Sequence, residues 1–221
     1  MNIAEYIDHT LLKPEASEND IRAICQEAVK HRFASVCVAP TYAMLASTYY
    51  RTATVVGFPH GNQTIQAKLK TMTSTRSDEF DVVIDIGAIK SGSWTKVEEE
   101  IASVKNEASY ASENKKPIIK YIVEVGYLTD EELFRVADLL IKYKIDFIKT
   151  CTGYGPRGVA VDDIVKIKNH VGNKIKIKAS GGIKTYEFAK QLIDAGADRI
   201  GTSSSVAIVT GLEITTTKAG Y

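Results

Sequence analysis

The chain has 221 residues, 44% of them hydrophobic and 25% charged, which suits one globular domain with a buried core. Lys and Arg total 28 against 27 Asp and Glu, and a net charge of +1 excludes the basic footprint of a nucleic-acid or membrane-surface binder. No apolar run approaches the roughly 18 residues of a membrane span, MNIAEYIDHT lacks the basic and apolar regions of a signal peptide, and Cys25, Cys37 and Cys151 form no framework, so a cytoplasmic protein with reduced thiols is expected.

A short strand at 6–9 opens the predicted order of elements. Ser17, with Asp20 three residues on, starts a helix whose Ile21, Ile24, Cys25, Ala28 and Val29 form one apolar stripe. Apolar, β-branched runs at 34–40 and 52–59 read as strands, each followed by a weaker helical stretch, at 41–50 and 63–76. The run FDVVIDIG at 80–87 precedes a helix from about Thr95 that carries Val97, Ile101, Val104 and Ala108. The run at 117–125 leads to a helix opened by the capping pair Thr129 and Glu132. Strands at 146–153 and 174–182 feed helices from about Val161 and Thr185, the second ending near Gly196, and 198–204 is the last strand.

Several of these runs are apolar at nearly every position, as strands buried on both faces are. Unbroken alternation of strand and helix implies a parallel sheet with crossover helices. Eight such units in this length predict an α/β fold, a closed (β/α)8 TIM barrel with a short extra N-terminal segment, as a single domain over 1–221. In that fold the site lies at the C-terminal ends of the strands.

Two lysines at those ends stand out. Lys149 follows Phe147 and Ile148 in a buried strand, and Lys178 closes the alternating run 174–178 on the next strand. Burial lowers a lysine's pKa, and a second ammonium nearby lowers it further, so Lys149 is expected to be partly neutral and able to form a Schiff base with a carbonyl. The competing reading pairs each lysine with a strand-end carboxylate as structure. Asp81 and Asp85 share one face of their run by period two, and residue spacing does not choose between them. Asp8 and Glu124 read as structural carboxylates. Ser180-Gly181-Gly182 and Gly201-Thr202-Ser203-Ser204 close the last two strands, where barrels commonly bind phosphate. His9, His31, His60 and His170 show no metal-ligand spacing, so no metal and no cofactor is expected. Cys37 closes the second predicted strand and reads first as a small core residue.

The strings Asp8-His9-Thr10-Leu11-Leu12-Lys13-Pro14, Ser35-Val36-Cys37-Val38, Val56-Gly57-Phe58-Pro59, Asp81-Val82-Val83, Asp146-Phe147-Ile148-Lys149-Thr150 and Lys178-Ala179-Ser180-Gly181-Gly182-Ile183 resemble the deoxyribose-phosphate aldolases, in family order along nearly the whole chain. The resemblance implies a metal-independent class I aldolase that reversibly cleaves 2-deoxy-D-ribose 5-phosphate to acetaldehyde and D-glyceraldehyde 3-phosphate. It implies Lys149 as the Schiff-base residue, Lys178 as its neighbouring cation, Asp81 rather than Asp85 in proton transfer, and the terminal Tyr221 as a proton donor to the substrate's methyl carbon. It implies Asp8, Thr10 and Cys37 in or behind the pocket, and Gly153, Gly181, Gly182, Ser203 and Ser204 around the phosphate. A homo-oligomer, dimer or tetramer, is implied as well. The chain departs from the family pattern at Ala39, Val125 and Cys151, at Arg76-Ser77, and in the shorter segments 41–52 and 62–79. These departures leave open a phosphate-binding isomerase without a Schiff base, or an inactive sugar-phosphate-binding barrel.

Overall fold

A computed structural model of the chain describes residues 2–75, 77–110 and 116–211. Eight parallel strands close into a barrel in chain order: β1 (Ile7–Leu11), β2 (Ser35–Val38), β3 (Thr52–Val56), β4 (Glu79–Val83), β5 (Ile118–Ile122), β6 (Phe147–Lys149), β7 (Lys176–Ser180) and β8 (Arg199–Thr202), with β8 pairing back to β1. Between them run α1 (Glu18–His31), α2 (Ala43–Ser47), α3 (Ile65–Ser74), α4 (Ile86–Lys90), α5 (Trp94–Tyr110), α6 (Asp130–Lys142), α7 (Val161–Val171) and α8 (Tyr186–Asp194), and α9 (Ser205–Thr210) follows β8. The extra N-terminal segment is a single 3-10 turn, Ile3–Tyr6.

The capping pairs read from sequence are formed. Ser17 and Asp20 exchange hydrogen bonds at the start of α1, and Thr129 and Glu132 do the same at the start of α6. Each cap satisfies backbone N–H groups that the helix leaves free, at about 1 kcal/mol apiece.

Alternation along each strand sorts the side chains into two regions. On the outer face, Ile7, Val36, Val38, Phe80, Val82, Ile119, Tyr121, Ile148, Ile177, Ala179 and Ile200 join the apolar layer under the helices. The intervening residues turn into the barrel, where Cys37, Ala53 and Val55 form a small separate apolar cluster. The same interior carries Asp8, Glu79, Asp81, Lys120, Lys149, Lys178 and Arg199.

Val29, read into the apolar stripe of α1, is exposed, whereas Ile21, Ile24, Cys25 and Ala28 are buried as expected. Two further expectations needed correction. The predicted strand 80–87 stops at Val83, because Asp85 caps α4 by accepting from the Ala88 N–H at 3.0 Å. The period-two argument therefore fails for Asp85, which pairs with Lys96 at 2.7 Å, away from the barrel interior. The other concerns α4 and α9, which the sequence reading left out; they have 5 and 6 residues, too few to show a helical period. No helix among the described residues is long and apolar enough to cross a membrane.

Candidate active site

Strand register builds the site. Asp81 on β4 lies opposite Lys120 on β5, and Lys149 on β6 lies opposite Lys178 on β7. All four side chains enter the barrel, and the three lysines converge on the one carboxylate. Asp81 Oδ1 accepts from Lys120 Nζ at 2.8 Å, while Oδ2 accepts from Lys149 Nζ at 2.8 Å and Lys178 Nζ at 2.7 Å. Behind them, Asp8 Oδ2 accepts from Lys178, and Asp8 Oδ1 accepts from Ser35 Oγ and Arg199 Nε, both at 2.7 Å. Glu79 closes the network below, paired with Lys120, with Arg199 at 3.1 Å and with Arg51 at 2.6 Å. Gly201 makes room for this crowd: a Cβ there would sit 3.0 Å from Lys178 Cε.

Asp8, Glu79, Asp81, Lys120 and Lys178 are fully buried, and Lys149 is 4% exposed. Burial alone would push the Asp81 carboxyl up, but Lys120, Lys149 and Lys178 together hold it well below the carboxylate range. Asp8 is likewise held low against its burial, by Lys120, Lys178 and Arg199. The expectation for Lys149 is overturned in sign. Burial does push its amine down, yet the Asp81 carboxylate at 2.8 Å outweighs burial and holds the amine above the ordinary lysine value. The sequence placed the second amine nearby but could not place the carboxylate between the two.

The charge count bears on what loss of the Lys149 proton would leave behind. Inside the barrel Lys120, Lys149, Lys178 and Arg199 face only Asp8, Glu79 and Asp81, four cations to three anions. Loss of the Lys149 proton leaves Asp81 still held by Lys120 and Lys178, so no buried carboxylate is orphaned.

A cavity of about 160 Å³ opens over the C-terminal ends of the strands. Lys149 is at its floor, and its walls include Thr10, Lys13, Gly153, Gly181, Gly182, Lys184, Ser203 and Ser204. Thr10, Gly153, both glycines after β7 and both serines after β8 thus border one cavity with Lys149. Asp8 and Cys37 do not line the cavity. Both are fully buried beneath it, Asp8 within the ion network and Cys37 with its Sγ 3.9 Å from Asp81 Oδ2. Burial and the Asp81 charge push the Cys37 thiol up to about 11. Tyr221 lies outside the described residues, as does Arg76. His9, in the middle of β1, turns outward to Ser205 Oγ at 2.9 Å and Glu27 Oε2 at 2.7 Å. Among the described residues no group of His, Cys, Asp and Glu is arranged to hold a metal ion.

Sequence reading missed Lys120, Glu79 and Arg199 in the network, and Lys13 and Lys184 on the cavity wall. Lys120 carried the same signal as Lys149, a lysine inside an apolar run. Lys13 lies within one of the strings already singled out and Lys184 directly follows another, and a cation beside a phosphate loop is a readable sign.

Residues 3–214 match the family model described as DeoC/LacD family aldolase. A deoxyribose-phosphate aldolase of Caldicellulosiruptor saccharolyticus is 45% identical over 215 residues, covering 94% of this chain and 96% of its own. Among solved structures, the aldolase QR15 superposes with a TM-score of 0.89 at 35% identity, covering 95% of both chains. The tetrameric deoxyribose phosphate aldolase of Aeropyrum pernix superposes with a TM-score of 0.84 at 29% identity, covering 94% of this chain and 89% of its own. With a family model spanning nearly its whole length over a barrel of matching geometry, the chain belongs to the DeoC/LacD family of aldolases and is an aldehyde-lyase.

Proposed function

We propose that the chain cleaves 2-deoxy-D-ribose 5-phosphate reversibly into acetaldehyde and D-glyceraldehyde 3-phosphate, through a Schiff base on Lys149. The observation that carries this reading is the position of Lys149 Nζ: it is the network amine that borders the cavity, with the Asp81 carboxylate beside it at 2.8 Å. The neutral amine adds to C1 of the open-chain aldehyde to give a carbinolamine, which loses water to give an iminium ion. Asp81, reaching the substrate through a water and backed by Lys178 and Lys120, removes the C3 hydroxyl proton. The C2–C3 bond breaks, its electron pair flows into the iminium, and D-glyceraldehyde 3-phosphate leaves. The remaining enamine is protonated at C2, a step assigned to Tyr221, and hydrolysis returns acetaldehyde and the lysine.

At the other end of the cavity Lys13, Lys184 and the backbone of Gly181 and Gly182 meet the phosphate, with Gly153, Ser203 and Ser204 completing its cradle. The Aeropyrum pernix relative supports a homo-oligomeric assembly for this chain too. Borohydride reduction in the presence of substrate, followed by peptide mass spectrometry, is expected to place the adduct on Lys149, and an adduct elsewhere refutes the assignment. EDTA is expected to leave the rate unchanged; a loss restored by magnesium refutes the Schiff-base route.

A further inference from the structure

The loop after β6 is a thin wall. Thr152 and Tyr154 border the substrate cavity on one side and, on the other, a second cavity of about 260 Å³ flanked by His60 and Asn62. With open space on both faces, the wall is packed chiefly where the Tyr154 ring meets Phe58 edge-on at 5.4 Å, and hydrogen bonds carry much of its positioning. They come from Glu124, just past the end of β5. Glu124 Oε2 accepts from the Thr152 N–H at 3.0 Å and from the Thr152 hydroxyl, whose oxygen accepts from the Tyr154 N–H at 3.0 Å. These bonds use both Thr152 donors and the Tyr154 N–H, whereas the Gly153 N–H between them is accepted by no described residue. Gly153 faces the substrate cavity.

The placement of Glu124 is costly, which argues that it serves a purpose. Its φ is +54°, in the left-handed region that non-glycine residues rarely occupy. Its carboxylate is 1% exposed, and Oε1 has no hydrogen-bond partner among the described residues. Gly155 closes against it so tightly that a Cβ there would lie 2.6 Å from Glu124 Cδ. Glu124 does not itself line the substrate cavity, so it does not act on the reacting atoms.

We infer that Glu124 is a positioning residue: it fixes the wall at 152–154 so that the Gly153 N–H meets the substrate phosphate, and so sets the preference for phosphorylated over unphosphorylated aldoses. This rests on the aldolase reading above. Steady-state kinetics on 2-deoxyribose 5-phosphate and on 2-deoxyribose, beside borohydride capture of acetaldehyde on Lys149, test it. In Glu124→Ala the KM for the phosphorylated sugar is expected to rise roughly tenfold, as for one lost hydrogen bond to a charged group. Cleavage of 2-deoxyribose and capture of acetaldehyde are expected to stay within about twofold, since neither uses the phosphate contact. Gly155→Ala, which crowds the carboxylate without removing it, is expected to move the same ratio in the same direction. Glu124→Gln keeps an acceptor oxygen and is expected to recover most of the lost affinity. Equal losses on both sugars, or an unchanged ratio in Gly155→Ala and Glu124→Ala, overturn the proposal; should Glu124→Ala not fold, Gly155→Ala decides. Failure of the unsubstituted enzyme to cleave the phosphorylated sugar or to label at Lys149 refutes the aldolase reading instead.

Discussion

Outside the strands, Ile21, Val97, Ile101, Val136 and Ile164 are fully buried in one apolar layer between sheet and helices. Inside the strands, seven charged side chains share the space with Cys37, Ala53 and Val55. The outer layer stabilises the fold by apolar burial, about 25 cal/mol per Å². The interior forgoes most of that, and buried ion pairs are often no more stable than apolar residues of equal volume. The difference teaches that the barrel's two faces answer to different demands: the outer face holds the protein together, and the inner face holds a proton inventory under Lys149.

Substitutions can break this contrast. The largest expected effect is Lys149→Leu, which should lower turnover on the order of 10⁴-fold or more while the far-ultraviolet dichroism stays native. Asp81→Asn comes next, with turnover expected to fall about 10²–10⁴-fold. It should also move the pH dependence of borohydride trapping. Asp81 favours the charged amine, so its removal lowers the Lys149 pKa, and trapping should reach its plateau at lower pH than in the unsubstituted enzyme. An unmoved curve would break the electrostatic assignment.

A matched pair sharpens the comparison. Lys120→Met, in the interior, should lose about 3–5 kcal/mol of stability in urea, because three carboxylates lose a shared cation, and should lose activity too. Ile101→Ala, in the outer layer, should lose about 2–5 kcal/mol with kcat nearly unchanged. If both variants kept full turnover, the interior charges would be structural only. The smallest effect is at the thiols. Burial pushes Cys37 and Cys25 up to about 11 and Cys151 up to about 12, so none should react with a disulfide reagent at pH 8 until the protein is unfolded.

Much of this was legible in the sequence because the signals were local. A lysine in an apolar run announced Lys149 and Lys178, and capping residues announced α1 and α6. Residue spacing alone left Asp81 and Asp85 equivalent. The family resemblance chose Asp81, and the physical reason is the end of β4 at Val83, set by the cap of a five-residue helix. Lys120 was readable by the rule that found Lys149, yet its meaning depends on the β4–β5 register that sets it opposite Asp81. The sign of the Lys149 shift was illegible for the same reason: it is decided by a carboxylate 68 residues away in the chain.

The interior network also has a temporal side. Asp8 is made early by the ribosome, but Lys178 lies 170 residues later and Arg199 lies 191 residues later. Until β7 and β8 emerge, the aspartate of the first strand has Lys120 alone of its three cations. Contacts of such sequence separation slow folding. The last two strands therefore both close the ring and complete the counterions of the first.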